Sequence, residues 1–279
     1  MGSPGLGGTV RDRECFFRVW LFQQPETNSV KHKELLRTMN KSTTVKNRWT
    51  AGWKTRHLIV IAFGILGTYA FLESRAQWSE MHRWNRAIGD MSLVMIAMSM
   101  AIGPLSRLFS IFRGATPWRR ELGIYGVILA VVHTAIILVG WVNWDFFRLF
   151  GYELHPAGVY VMVQQGFGMA NVIGIIALAY GLVLALSSSN WSQRKLGGPV
   201  WKFLQQGAYV LWMLIVVHTA YFLYFHFQDY HRSVPEPNWL QVPFAIVVSS
   251  VVALQLAAFI KTWRLRRNRT GSEEQPLAG

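Results

Sequence analysis

The sequence predicts an all-α, polytopic membrane protein: a bundle of about six transmembrane helices with both termini in the cytoplasm. Hydrophobic residues make up 52% of the 279 residues, and only 15% are charged. The hydrophobic residues stand in long uninterrupted blocks rather than alternating with polar ones. A soluble helix is apolar on one face, whereas a helix surrounded by lipid is apolar all round. Composition and block length therefore favour a membrane bundle over a soluble fold.

Six apolar blocks are long enough, or nearly so, to cross a bilayer. A helix needs roughly 20 predominantly apolar residues to span a hydrocarbon core of about 30 Å. We predict spans at approximately residues 57–72, 88–109, 122–141, 167–186, 204–227 and 242–260. Tryptophan and tyrosine are abundant, as is typical of proteins whose aromatic rings lie at the two membrane interfaces.

The distribution of basic residues predicts the orientation of these spans. With six spans, 23 of the 28 Lys and Arg residues fall on the side that holds both termini. Short loops rich in Lys and Arg stay in the cytoplasm, so both termini are expected there. The same distribution accounts for the formal charge of +14, because basic residues beside the spans can contact membrane lipids. Because no nucleic-acid recognition motif accompanies the charge, we expect no nucleic-acid partner.

The blocks divide the chain into three parts. Residues 1–56 are expected to form a basic cytoplasmic extension, and residues 57–261 a six-helix transmembrane domain. Residues 262–279 are expected to be a short polar tail. Because this tail is short and no glycine-rich dinucleotide motif follows a strand pattern, we expect no flavin or nicotinamide domain. Electrons for any reduction would have to come from a quinol or another polypeptide.

The single cysteine, Cys15, narrows the possible redox cofactors. One cysteine cannot form an internal disulfide, hold an iron–sulfur cluster through thiolates, or supply the C-x-x-C-H motif that attaches haem covalently. Any haem must be held by other side chains.

Two histidines stand in a repeated segment at similar depths. The segments LAVVHTAIIL (from Leu129) and LIVVHTAYFL (from Leu214) agree at seven of ten positions. His133 and His218 lie about 20 and 24 Å along their helices from the preceding basic residues, at 1.5 Å per residue. Each could simply hydrogen-bond a carbonyl of a neighbouring helix. The matched depth favours the alternative, in which the two imidazoles are axial ligands of one haem iron.

The segments around these histidines resemble the ferric reductase-like transmembrane family. The resemblance rests on WRRELGIYGVILAVVHTAIIL from Trp118 and LALSSSNWSQRKLGGPVWKFLQQGAYVLWMLIVVHTAYFLY from Leu184, and it covers residues 85–226. It implies a b-type haem held by His133 and His218, transfer of electrons across or out of the membrane, and a bacterial inner (cytoplasmic) membrane.

One position departs from the family pattern. The family commonly has a further histidine thirteen residues before the last one, where this chain has Gln205. Glutamine is not a usual haem ligand, so we predict one haem rather than two, with membrane quinone as a candidate electron donor in its reduced form.

Other polar and sulfur-bearing residues of the spans are weaker site candidates. Packing, hydrogen bonding or solvation is the expected role of Met91, Met95, Met98, Asp90, Arg107, Arg119, Arg120, Gln164, Gln165, Asn171, His155 and His226. For Asp90 a place in a quinol proton relay stays open, and for His155 and His226 a contact to a haem propionate or a partner. The other open alternatives are ligation of haem by the methionines, contact to a quinone head group by Gln164, Gln165 and Asn171, and contact to a lipid phosphate by Arg119 and Arg120.

The function predicted from these features is the relay of single electrons by an electron-transfer subunit of an oxidoreductase rather than a self-contained enzyme. The expected partner is a redox protein outside the cytoplasm or a larger membrane complex. The alternatives are an accessory or structural subunit that keeps the same fold in an energy-transducing complex, and a quinone oxidoreductase of the cytochrome b type.

Overall fold

The computed structural model describes residues 52–226 and 238–273, with side chains described as far as residue 268. Only the last five residues of the predicted N-terminal extension, 52–56, fall inside these limits. The described residues are helical apart from their connecting turns and a small antiparallel β-hairpin.

The elements follow one another in an up-and-down order. The first half contains α1 (Trp53–Glu73), α2 (Glu80–Leu108), a 3₁₀ helix (Ser110–Ala115) and α3 (Trp118–Ile136), which continues as a π-helical turn (Ile137–Trp141). Next come α4 (Phe146–Leu149), β1 (Tyr152–Leu154), β2 (Tyr160–Met162) and α5 (Gln165–Ser187). The chain ends with α6 (Asn190–Leu196), α7 (Gly198–Gln206), α8 (Ala208–Ala220), a second π-helical turn (Tyr221–Phe225) and α9 (Gln241–Glu273).

Six helical segments in the described residues are long and apolar enough to cross a membrane, which confirms the predicted fold. They are α1, α2, α3, α5, α7 with α8, and α9. The helices extend beyond the apolar blocks because polar anchoring residues continue them: α1 begins at Trp53 rather than at residue 57, and α2 at Glu80 rather than at residue 88. The protein is therefore a multi-pass membrane protein.

Helix α2 forms the centre of the bundle. Half of the residues in its most apolar stretch are buried, a larger share than in any other span. The helix packs against α1, α3, α8 and α9. The outer helices present large apolar side chains away from the bundle, such as Leu66 of α1, which is 68% exposed. In a bilayer this surface faces lipid tails and needs no further cover.

Small residues let α2 and α3 approach closely. A Cβ added to Gly126 would lie 2.7 Å from Cγ1 of Ile96, so only glycine fits there. The Ser92 hydroxyl donates a hydrogen bond of 2.7 Å to the carbonyl of the same glycine. Interfaces of this kind are common between membrane helices, where close backbone approach replaces the hydrophobic effect.

Polar contacts join helix ends at one side of the bundle. At the end where α1 begins and α9 ends, Lys261 Nζ donates to the last carbonyls of α2, those of Arg107 and Leu108, both at 3.0 Å. At the same end Arg120 donates to Asn190 Oδ1 at 2.8 Å.

We call the end where α1 begins and α9 ends the terminal end. The opposite end, which carries β1 and β2, is the hairpin end. That the terminal end faces the cytoplasm stays a prediction.

Candidate functional site

A cavity of about 600 Å³ lies among α2, α3, α5 and α8. Each helix contributes residues at a spacing of three or four, so one stripe of every helix faces the cavity. Both predicted site histidines, His133 and His218, line it. The volume falls in the range of about 300–1,000 Å³ that is typical of cofactor and ligand sites.

The two histidines make equivalent contacts with neighbouring helices. His133 Nδ1 donates to the backbone oxygen of Asn85 at 2.9 Å, and His218 Nδ1 donates to the backbone oxygen of Ala170 at 2.8 Å. A carbonyl oxygen only accepts hydrogen bonds, so in both rings Nδ1 carries the proton. The lone pair of Nε2 is then left for a metal, which is the usual arrangement of histidine ligands.

A glycine stands beside each imidazole ring. A Cβ on Gly174 would lie 2.7 Å from Cε1 and Nδ1 of His218, and a Cβ on Gly89 would lie 3.0 Å from Nδ1 of His133. Any larger residue would displace the ring or break its hydrogen bond. The glycines thus form the back wall that each ring rests against.

The cavity is built from two copies of one helix pair. His133, Asn85 and Gly89 of α2 and α3 correspond to His218, Ala170 and Gly174 of α5 and α8, each 85 residues further along the chain. The same offset relates further lining residues: His82 to Phe167, Thr134 to Thr219, Ile137 to Phe222, and Trp141 to His226. The repeat first visible around the two histidines therefore extends through all four helices of the site.

Both copies depart from regular α-helix just beyond the histidine. The π-helical turns Ile137–Trp141 and Tyr221–Phe225 begin four and three residues after His133 and His218. Single π-helical turns in α-helices occur frequently at functional sites, because they turn side chains out of the regular register.

Aromatic rings cover the cavity towards the hairpin end. The Phe222 ring lies 5.0 Å from that of His218 and 5.8 Å from that of Phe167. Phe167 stacks on Trp141 at 6.1 Å, and Trp141 meets His82 edge-on at 4.9 Å. These contacts bring His82, which carried no signal in the sequence, to the site.

Charged residues line one side of the cavity at this end. Arg75, from the turn between α1 and α2, pairs with Asp90 of α2 and is only 2% exposed. Arg86 lies over the ring of Trp78 at 3.7 Å. Asp90, which the sequence presented as an interface residue or a proton relay, thus belongs to a buried ion pair beside the cavity.

Gln205 occupies the position of the family's additional histidine and makes structural contacts. Its Nε2 donates to Ser187 Oγ at 3.0 Å and lies 3.5 Å from the Leu184 carbonyl. It joins α7 to the end of α5 and is not among the residues that line the cavity.

The remaining sequence candidates divide between packing and the cavity wall. Met91 and Met95 are both 1% exposed and pack against α1, away from the cavity. A Cβ added to Gly67 would clash with Met91, and a Cβ added to Gly64 would clash with Met95. Met98 is 40% exposed.

Two of the polar candidates line the cavity, and a third does not. Asn171 is a lining residue and donates to the Leu149 carbonyl at 2.8 Å. His226 also lines the cavity, whereas His155 is exposed on the β-hairpin turn.

Reasoning from the sequence did not find the groups that orient the histidines. The carbonyls of Asn85 and Ala170 carry no side-chain signal, and the two glycines share only the preceding isoleucine, at residues 88 and 173. Among the described residues no group of three His, Cys, Asp or Glu side chains could hold a free metal ion.

The fold and the cavity define the class of this protein: a multi-pass membrane helix bundle in which two repeated helix pairs present one histidine each to a shared internal cavity. Residues 87–216, which include His133 and end two residues before His218, match the family described as ferric reductase like transmembrane component. The predicted resemblance to this family is confirmed.

Individual relatives agree with this resemblance. The chain is 28% identical over 182 residues to the protein-methionine-sulfoxide reductase heme-binding subunit MsrQ of Bordetella parapertussis, covering 65% of this chain and 75% of that protein. The protein of the same name from Herminiimonas arsenicoxydans is 30% identical over 134 residues, which are 48% of this chain and 55% of that protein. Magnetosome protein MamZ of Paramagnetospirillum magneticum is 24% identical over 48% of this chain and 19% of its own length.

Proposed function

We propose that this protein is a membrane electron-transfer subunit that holds one b-type haem between His133 and His218 and relays single electrons. The observation that carries the proposal is the equivalent placement of these histidines. Both line one cavity, and both have Nδ1 held by a carbonyl of the neighbouring helix. Each ring is thereby fixed with Nε2 available as an iron ligand.

The residues around the histidines fit a porphyrin. The cavity has a suitable volume, its walls are mainly apolar, and Gly89 and Gly174 leave room for the two histidine rings. When bound, haem iron supplies reversible one-electron oxidation and reduction, at a potential set by its axial ligands and its surroundings. The chain contributes two imidazoles, a mainly apolar wall and aromatic rings at the hairpin end.

The relatives support the choice of haem and of a partner. MsrQ is named as the heme-binding subunit of a protein-methionine-sulfoxide reductase. By analogy we infer that this chain serves an oxidoreductase from the bacterial inner membrane, taking electrons from membrane quinol and passing them to a partner outside the cytoplasm. The hairpin end would face that partner, since the positive-inside rule assigns the terminal end to the cytoplasm.

A second function is favoured by one observation. Gln205 replaces a histidine of the family pattern and is used in a structural contact with Ser187. A chain that has lost one ligand position could serve a larger membrane complex as an accessory subunit that keeps the fold.

Purification of the full chain in detergent, followed by reduced and oxidised absorption spectra, separates the two functions. The relay predicts a haem b spectrum that is lost in His133→Ala and in His218→Ala and kept in the control His155→Ala, whose ring is exposed on the β-hairpin. A folded, colourless protein from cells with sufficient haem would contradict the relay and support the accessory role. A spectrum unchanged in both cavity variants would contradict the assigned ligands.

A further inference from the structure

We propose that Arg75 is an anion-binding residue that receives a carboxylate of the ligand in the cavity, which for haem is a propionate. The inference rests on the proposed function and adds to it the orientation of the ligand. Arg75 lies outside the residues that match the family, in the turn between α1 and α2.

Arg75 is buried and retains an unused donor. It is 2% exposed and lines the cavity. Its Nη2 pairs with Asp90, and its Nη1 makes a long hydrogen bond of 3.4 Å to Asn238 Oδ1. Its Nε is buried and has no hydrogen-bond partner among the described residues. A buried N–H without a partner is costly, and an acceptor on a ligand in the cavity would satisfy it.

The charges that line the cavity favour an anion. Arg75 and Arg86 are the arginines among the lining residues, and Asp90 is the carboxylate. With the histidines neutral, this part of the wall carries one more positive than negative charge. Excess charge in a low-dielectric site is unfavourable unless a group of opposite sign enters, and a ligand carboxylate provides one.

The repeat shows that this charged wall is present on one side only. The residues 85 positions after Arg86 and Asp90 are Asn171 and Ile175, which are uncharged and also line the cavity. The amide of Asn171 already donates to the Leu149 carbonyl. A porphyrin, whose two carboxylates stand at one edge, would therefore lie with that edge at the hairpin end, towards α2 and the turn that follows α1.

The burial of Arg75 distinguishes a ligand in the cavity from a lipid headgroup. A phosphate at the membrane surface would need an exposed guanidinium. The Arg75 guanidinium is buried, and the Trp239 ring lies 5.7 Å from it. The carboxylate must therefore arrive on a molecule that enters the cavity.

Reconstitution with two porphyrins tests the proposal. Full-length protein produced without haem is titrated with iron protoporphyrin IX and with its dimethyl ester, which lacks the negative charges, and binding is followed by absorption. We expect the wild type to bind the free acid about tenfold more tightly than the ester, as one charge-assisted hydrogen bond provides. Arg75→Gln should reduce that ratio to about one to threefold.

The matched control is Arg83→Gln. Arg83 also lies near the start of α2, but its Nη2 donates to the Leu72 carbonyl and it does not line the cavity. The control should keep the wild-type preference. Since Arg75→Gln leaves Asp90 without its partner and could impair folding, the double variant Arg75→Gln/Asp90→Asn removes the pair together and should likewise lose the preference.

The outcomes separate this inference from the function on which it rests. Equal affinities for acid and ester in the wild type, or an undiminished preference in the folded double variant, would overturn the role of Arg75 and leave the haem site intact. Failure of the folded wild type to bind either porphyrin would overturn both.

Discussion

His133 and His218 stand 85 residues apart, and each donates from Nδ1 to the carbonyl of a residue 48 positions earlier in the chain. The two acceptors, on α2 and α5, are themselves 85 residues apart. Two copies of a helix pair thus orient two imidazoles towards one cavity. Internal repeats with ligand sites at their interface recur in membrane proteins, because stacking two similar units creates an enclosed site between them.

The glycines behind the rings provide a first prediction. Gly174→Ala places a Cβ 2.7 Å from His218 Cε1, so the ring must move and its hydrogen bond to Ala170 must weaken. Overpacking of this kind costs about 1–3 kcal/mol, and we expect a loss of roughly tenfold or more in porphyrin affinity, measured by titration.

Two comparisons accompany that measurement. Gly89→Ala should have a smaller effect, because the nearest atom of His133 would be 3.0 Å away. Gly198→Ala is the control, since no atom lies within 4 Å of the added Cβ. Equal affinities in all three variants would show that the rings are not held by these glycines.

Asn171 provides a prediction about stability. It is 5% exposed, and its amide donates to the Leu149 carbonyl, which anchors α4 and the β-hairpin to α5. Asn171→Ala removes this bond and leaves a buried carbonyl unsatisfied, at a cost of about 1–3 kcal/mol. Thermal unfolding in detergent should therefore occur at a lower temperature than in the wild type.

The control for this variant is Asn190→Ala, which removes an exposed contact to Arg120. Exposed interactions of this type contribute about 0–1 kcal/mol. A greater loss of stability from residue 190 than from residue 171 would contradict the assigned anchoring role.

Gln205 allows the predicted single haem to be tested. We expect purified protein to contain one haem per chain, measured as pyridine haemochrome against protein concentration. Gln205→His should also contain one, because a second axial pair needs a facing ligand on α3, and the residue 85 positions before Gln205 is Arg120. Two haems per wild-type chain would refute the prediction.

How much could be predicted from the sequence differs between these features. The six spans could be predicted because lipid requires long apolar blocks, and the histidine pair because its surrounding repeat agrees at seven of ten positions. The repeat in α2 and α5 could not be predicted, because around the two glycines only the preceding isoleucine is shared. The pairing of Arg75 with Asp90 depends on how the turn after α1 folds over α2. The pattern of apolar residues along the helices does not predict the conformation of that turn.

The orientation of the bundle can be measured by cysteine labelling. In a Cys15→Ser background, Ala157→Cys lies at the exposed tip of the β-hairpin and Gln193→Cys on exposed α6 at the terminal end. The positive-inside rule predicts that a membrane-impermeant maleimide added to intact spheroplasts labels position 157 and spares position 193 until the membrane is opened. The reverse pattern would place both termini outside the cytoplasm.

The most direct test of the central claim is the near-infrared magnetic circular dichroism of the oxidised, purified protein, because its charge-transfer band distinguishes the axial ligand pairs of low-spin haem. We predict the signal of one low-spin haem with two imidazole ligands, and we expect His133→Ala and His218→Ala each to abolish it. A histidine–methionine signal, a purely high-spin haem, or a bis-imidazole signal that survives both substitutions would contradict this prediction.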